Sequence, residues 1–121
     1  MELILKYFPE IIPSQIARFE ILQRVLPKLN ERVNVISRND IGSLEERHIL
    51  HSLGIAKKFS FGPHTQVMDV GTGGGFPGIP LAILFPDTQF TLVDSIRKKM
   101  YLVEELCEVL QMENVILIHG R

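Results

Sequence analysis

The fold is decided by the stretch QVMDVGTGGGFPG at residues 66–78. Its first part, residues 66–70, is a short apolar run that predicts a buried strand. The glycine-rich loop that follows, residues 71–78, permits positive φ angles and lets a ligand approach the backbone closely. Residues 79–85 then predict a short helix, whose N-terminus offers unsatisfied N–H groups. The order strand, glycine loop, helix is typical of a site for a nucleotide-type ligand.

A second strand is predicted at QFTLVD, which ends at Asp94. A helix with Ser95 as its N-cap and a third strand at residues 115–118 follow it. Almost entirely apolar strands that alternate with helices favour a parallel α/β sheet covered on both faces. An acid at the end of the second strand can accept hydrogen bonds from the hydroxyls of a ribose. The alternative interpretation is a structural turn in which Asp94 caps the next helix.

The first third of the chain is predicted to be helical. Apolar residues recur at gaps of three and four over residues 16–33, after a start signal at residues 13–14. Pro27 lies inside this stripe and predicts a kink or a break. A second helix is predicted from Ser43, because Ser43 and Glu46 fit a capping box.

Composition excludes several classes of protein. Hydrophobic residues make up 45% of the chain and charged residues 22%, which is typical of a globular domain. The single cysteine, Cys107, excludes an internal disulfide and is expected to be a small packing residue. No apolar run reaches the roughly 18 residues of a membrane span, and no signal peptide is recognisable, so a cytoplasmic setting is expected. The net charge of −1 gives no strong electrostatic indication of nucleic-acid binding, although a local basic patch remains open.

Two kinds of cofactor fit the glycine loop. The pattern GxGxxG at residues 73–78 satisfies the dinucleotide fingerprint, which leaves an NAD(P)-dependent oxidoreductase as an alternative. In that frame Asp94 follows only 16 residues later, and prolines crowd the helix N-terminus that must face a pyrophosphate. The other frame, DxGxGxG at residues 69–75, resembles the first motif of S-adenosylmethionine-dependent methyltransferases, whose cofactor has no pyrophosphate.

A family resemblance becomes specific at MDVGTGGGFPGIPLAI, residues 68–83. This segment closely resembles the bacterial small-subunit ribosomal RNA 7-guanosine methyltransferases, first named glucose-inhibited division protein B. FPGIP is far more discriminating than the glycines alone, and the resemblance covers about residues 16–121. His51 departs from the pattern, since the family has an aspartate there. Three further segments carry the resemblance: FTLVDS at residues 90–95, LNERVNVIS at residues 29–37 and ERHILHSL at residues 46–53.

The resemblance implies a Rossmann-like methyltransferase fold with its first three parallel strands in residues 63–121, preceded by a helical N-terminal cap in residues 1–62. It implies transfer of a methyl group from S-adenosylmethionine to N7 of a guanine in 16S ribosomal RNA, with the small ribosomal subunit as partner. Because N7 carries a lone pair and no proton, no general base is expected, and no catalytic residue is assigned. The implied cofactor-binding residues are Gly71, Gly73, Gly75, Phe76 and Asp94.

Other features favour simpler interpretations. His48 and His51 lie one helical turn apart without the Cys/His context of a zinc site, so they are expected to be packing or surface residues and no metal is expected. The family pattern continues beyond Arg121, so the chain is expected to be a fragment with little or no activity alone. A non-catalytic fragment that binds RNA or protein is a further alternative. An unpaired edge of the third strand would allow self-association. Arg32, Asn34, Arg38 and Arg47 are candidates for RNA contact or for packing between the two parts. Residues 97–99 are expected to be a solvated face or, alternatively, an RNA-facing patch.

Overall fold

The computed structural model describes residues 1–121, beginning with a helical segment, residues 1–62. Its longest helix coincides with the predicted apolar stripe, because the residues spaced by three and four all face one core. No helix is long and apolar enough to cross a bilayer. The helices of this segment are α1 (Glu2–Tyr7), α2 (Pro13–Asn30), α3 (Arg38–Ile41), a π-helical turn (Glu45–Leu50), α4 (His51–Leu53) and a 3₁₀ turn (Gly54–Lys57).

The remainder of the chain alternates strands and helices as predicted. The three strands form one parallel sheet in the order β1-β2-β3, with Val67 opposite Phe90 and Phe90 opposite Val115. The sheet, the two helices that follow its strands, and α2 stack as three layers, since α2 packs against both helices. The elements are β1 (Gln66–Val70), α5 (Gly78–Leu84), β2 (Gln89–Asp94), α6 (Arg97–Leu110) and β3 (Val115–His119).

The prediction that helices cover both faces of the sheet is wrong. Both crossovers advance in the same direction across the sheet, and right-handed crossovers then place their helices on the same face. On the opposite face Met68 is 63% exposed and Val70 is 68% exposed, and Ile116 and Ile118 of β3 are exposed on the same face. β1 is therefore not the buried strand that was predicted: Val67 and Asp69 on its covered face are half-buried, and its other three residues are exposed.

One hydrophobic core of 21 buried residues joins the helical segment to the α/β part. Phe19, Leu22 and Leu26 of α2 are completely buried in it. Polar contacts fix the same helix: Arg18 donates hydrogen bonds to the carbonyls of Leu110 (3.0 Å) and Gln111 (3.1 Å) at the end of α6. The proposed division at residue 62 therefore follows the change from helices to strands, while the two parts share one core.

The structure differs from the prediction at two helix signals, Pro27 and the capping box of Ser43 and Glu46. The helix α2 continues through Pro27, so the predicted break is wrong; Pro27 lies in the last turn, where its missing N–H removes a single backbone bond. The capping box of Ser43 and Glu46 does not form. The neighbouring carboxylate of Glu45 instead contacts the N-terminal amino group (3.0 Å) and the Ile4 N–H (3.1 Å). The bond between Ile4 and Glu45 spans 41 residues, and Glu45 is the first residue of the π-helical turn.

Candidate functional site

The glycine loop, residues 71–78, crosses the carboxyl ends of β1 and β2. The N–H groups of Gly71 and Thr72 both donate to the Val93 carbonyl, at 2.7 and 3.0 Å, which ties the start of the loop to the end of β2. Gly71, Gly73 and Gly75 have φ angles of 76°, 60° and 93°, which L side chains rarely adopt. The carboxyl ends of parallel strands are where α/β proteins bind ligands, so the loop lies in the expected place for a site.

Asp69, near the end of β1, stabilises the glycine loop by accepting hydrogen bonds from it. Its Oδ2 atom accepts hydrogen bonds from the Thr72 hydroxyl (2.7 Å) and the Gly78 N–H (3.1 Å). Burial raises the pKa of Asp69; the two hydrogen bonds oppose this shift and the nearby Asp94 carboxylate adds to it. Thr72, whose role sequence reasoning missed, is itself buried. The Asp69 carboxylate therefore stabilises both the conformation of the loop and the start of α5.

Asp94, at the end of β2, lies on the other side of the loop. Its Oδ2 atom accepts a hydrogen bond from the Gly73 N–H (2.8 Å), and Oδ1 accepts one from the Ile96 N–H (2.9 Å). Burial pushes the pKa of Asp94 upward, but hydrogen bonds from Ile96 and Gly73 and the charge of Lys99 bring it below the usual value. A carboxylate oxygen can accept two hydrogen bonds, so each keeps capacity for a ligand hydroxyl.

The alternative interpretation, that Asp94 caps the next helix, is met in a modified form: Asp94 bonds to the residue before the helix. The bond from Ile96 to Oδ1 closes a turn immediately before α6. The predicted N-cap is wrong by one residue, since Ile96 rather than Ser95 precedes the first residue of the helix. The aspartate therefore orders both the glycine loop and the entry to α6.

The loop has an open side and a packed side. A Cβ added to Gly71 or Gly73 would meet nothing within 4 Å, so space remains beside the backbone next to Asp94. A Cβ on Gly75 would lie 2.5 Å from the Cδ1 atom of Ile79, which makes Gly75 a packing position. The open side therefore combines free space beside two glycines with the Asp94 carboxylate.

Phe76 is half-buried on the packed side, where its ring meets the ring of His48 edge to face at a centroid distance of 6.1 Å. A contact of Phe76 or Gly75 with the cofactor stays a prediction. The structure brings Gly71, Gly73 and Asp94 together at the open side, while Gly75 and Phe76 support the loop from behind.

Several of the remaining candidate residues contact other residues of the chain. His48 Nε2 lies 3.6 Å from a carboxylate oxygen of Asp40, and no three His, Cys, Asp or Glu side chains come close enough to hold a metal ion. Burial raises the pKa of the Cys107 thiol to about 12, in accord with a packing role. Two of the basic candidates for RNA contact are paired with carboxylates: Arg32 with Glu105 at 2.6 Å and Arg47 with Asp40 at 2.8 Å.

Solved structures with this arrangement are methyltransferases. A coclaurine N-methyltransferase superimposes with a TM-score of 0.58 at 16% identity, over 97% of this chain and 42% of that one. A SAM-dependent methyltransferase from Aquifex aeolicus superimposes with a TM-score of 0.53 at 21% identity, over 71% of this chain and 48% of that one. The fold is the Rossmann-like fold of S-adenosylmethionine-dependent methyltransferases, as predicted.

Sequence comparison narrows the class to one family. Residues 15–121 match the family described as rRNA small subunit methyltransferase G, and the chain belongs to this family. Relatives named ribosomal RNA small subunit methyltransferase G are 55% identical in Phocaeicola vulgatus and 52% identical in Cytophaga hutchinsonii, each over 121 residues. The chain is matched over its whole length and spans 58% of the length of these relatives.

Proposed function

We propose that this chain provides the glycine-loop side of the cofactor site in an enzyme that methylates ribosomal RNA with S-adenosylmethionine. The observation that carries the proposal is the meeting of the open backbone at Gly71 and Gly73 with the ionised carboxylate of Asp94. Membership of the family supports the reaction class and the ribosomal RNA substrate. The finer proposal is that the acceptor is N7 of a guanine in 16S RNA within the small ribosomal subunit.

The helix N-terminus after the loop discriminates between the two cofactor classes. A dinucleotide would need free N–H groups there to cradle its pyrophosphate. The Gly78 N–H already donates to the Asp69 carboxylate, the Ile79 N–H donates to the Gly75 carbonyl at 2.6 Å, and Pro80 has no N–H. The partly buried Asp69 carboxylate at that position would also repel a pyrophosphate. This geometry favours the methyltransferase interpretation over the oxidoreductase alternative.

Asp94 is the residue that would hold the ribose. Its lowered pKa keeps it ionised at neutral pH, and both oxygens retain acceptor capacity for the two ribose hydroxyls. Its bond to the Gly73 N–H links the ribose position to the loop backbone. The loop residues Gly71 and Gly73 would then lie along the methionine part of the cofactor.

The contribution of this chain to the reaction is to orient the methyl donor, and no proton transfer by its side chains is required. S-adenosylmethionine, when bound, supplies an electrophilic methyl group. A guanine N7 atom offers an in-plane lone pair without a proton, so the protein need not supply a general base at the acceptor. The loop, fixed by Asp69, Thr72 and Val93, holds one side of the site rigidly, and such pre-orientation lowers the barrier of a direct transfer.

Replacement of the matched 58% of the Phocaeicola vulgatus relative by this chain tests the proposal. The hybrid protein is given tritiated S-adenosylmethionine and small subunits that lack the modification. We expect label in 16S RNA, and strand cleavage by borohydride and aniline at the labelled guanine if N7 is the acceptor. Label without such cleavage would overturn the N7 assignment. RNA retention without label, with the relative itself active, would favour the non-catalytic alternative.

A further inference from the structure

A buried asparagine closes the turn that follows α2. Asn30 Oδ1 accepts hydrogen bonds from the N–H groups of Val35 (2.8 Å) and Ile36 (3.0 Å), and its Nδ2 donates to the Ile36 carbonyl (2.9 Å). One side chain thus satisfies three backbone groups of a segment without regular structure. Buried polar groups that are fully paired specify a single local conformation. The turn therefore presents its side chains in fixed positions.

The turn presses Val35 against the middle of the glycine loop. A Cβ on Gly74 would lie 2.7 Å from Val35 Cγ2 and 3.1 Å from Val35 Cβ. Gly74 lacks the positive φ that Gly71, Gly73 and Gly75 have. The backbone conformation at position 74 therefore does not require glycine. The close approach of the Val35 side chain requires it instead.

Val35 lies directly behind the proposed ligand side of the loop. Gly74 adjoins Gly73, whose N–H donates to Asp94, and Gly75, whose N–H donates to the Thr72 carbonyl at 3.0 Å. A displacement at Gly74 would alter both of these bonds. The helical segment touches the loop a second time where His48 meets Phe76.

We propose that Val35, held in place by Asn30, is a positioning residue for the cofactor site. It keeps the packed side of the glycine loop fixed, so that the Gly73 N–H and the Asp94 carboxylate stay in register on the open side. The inference rests on the proposed function for its ligand, S-adenosylmethionine or S-adenosylhomocysteine. The contact gives the helical segment a role in the cofactor site, in addition to its share of the core.

The first test compares Val35→Ala with Val33→Ala by amide hydrogen exchange in the 121-residue protein. Both valines are half-buried in the same turn, and both changes remove the same two methyl groups, but the groove beside Val33 is lined by Lys98 and Tyr101 of α6. We expect exchange at Gly73 and Gly75 to become about two- to thirty-fold faster in Val35→Ala only. Equal exchange in the two variants, or acceleration spread over the whole protein, would overturn the proposal.

Exchanging the sizes of the side chains at positions 35 and 74 tests the contact between Val35 and Gly74 directly. Gly74→Ala introduces the clashing Cβ, and we expect the exchange at Gly73 to accelerate. Combining Gly74→Ala with Val35→Ala removes the clashing methyl group, so the double variant is expected to exchange more slowly than Gly74→Ala alone. Additive acceleration would contradict a direct contact. Asn30→Asp, which keeps the acceptor for two N–H groups, should disturb the loop less than Asn30→Ala.

Affinity for S-adenosylhomocysteine, followed by amide chemical shifts, links the contact to the ligand. Val35→Ala should weaken binding by about two- to thirty-fold, while Val33→Ala leaves it unchanged. If the unsubstituted protein shows no shifts, the proposed function fails, and the exchange experiments still decide whether Val35 positions the loop. If the protein binds and Val35→Ala binds equally well, the positioning role is wrong and the proposed function stands.

Discussion

Two aspartates flank the same loop and are used in opposite ways. Asp69 turns its carboxylate inward to Thr72 and Gly78, where burial raises its pKa. Asp94 bonds to Gly73 at the open side, where burial acts against backbone N–H groups and the charge of Lys99, and its pKa is lowered. The comparison teaches that the two acids order different parts of the loop: Asp69 holds Thr72 and the start of α5, and Asp94 holds Gly73 and the entry to α6.

The largest effect is expected from Asp94→Ala on cofactor binding. Loss of two charge-assisted hydrogen bonds to a ribose should weaken the affinity for S-adenosylhomocysteine by about 10- to 100-fold. Asp87→Ala, which removes an exposed carboxylate from a turn, is the control and should leave the affinity unchanged. Amide chemical-shift titration measures both. Equal affinities in the two variants would remove Asp94 from the site.

On the packed side, Gly78→Ala is expected to cost about 1–3 kcal/mol of unfolding free energy, measured in urea. Its Cβ would overlap with the Leu92 side chain and lie 3.0 Å from the Asp69 carboxylate. Gly54→Ala is the matched control, because a Cβ there meets nothing within 4 Å and its φ is −55°. A Gly78→Ala protein as stable as the Gly54→Ala protein would show that the loop is not packed as described.

Asp69 should behave as a structural acid under substitution. Asp69→Ala loses the acceptor for Thr72 and Gly78, and we expect it to lower stability by about 1–3 kcal/mol. Asp69→Asn retains an oxygen in that place and should cost less than Asp69→Ala. If Asp69→Ala leaves stability untouched but abolishes S-adenosylhomocysteine binding, the assignment of the two aspartates is reversed.

The smallest expected effect is on the pH dependence of stability, and it tests the raised pKa of Asp69 specifically. The pKa of Asp69 in the folded protein is raised above the usual 3.8. Ionisation of this carboxyl therefore lowers the free energy of unfolding as the pH rises from 3.8 through the raised pKa. Asp69→Asn lacks this loss, so its stability relative to the unsubstituted protein should increase over that range. Asp94, whose pKa is lowered, changes stability mainly below pH 3.8, which is outside that range. Urea unfolding at several pH values measures it, and a difference that is constant with pH would contradict the raised pKa of Asp69.

Local patterns predicted the elements of the site, and long-range contacts decided the rest. Apolar runs between turn residues defined β1 as residues 66–70, and the spacing of the acid placed Asp94 beside the loop. The exposed second face of the sheet could have been deduced from the handedness of two successive crossovers. The contact of Glu45 with the amino terminus and that of Val35 with Gly74 join distant parts of the chain, and no spacing rule encodes them.

The central claim is that the open side of the glycine loop, with Asp94, binds the methyl donor. Titration of the ¹⁵N-labelled protein with S-adenosylhomocysteine, and separately with NAD, tests it most directly because amide shifts report weak binding residue by residue. We expect S-adenosylhomocysteine at millimolar concentration to shift the amide signals of Gly71, Gly73 and Ser95, and NAD to leave them in place. Unchanged loop signals with S-adenosylhomocysteine, or equal shifts with NAD, would contradict the account.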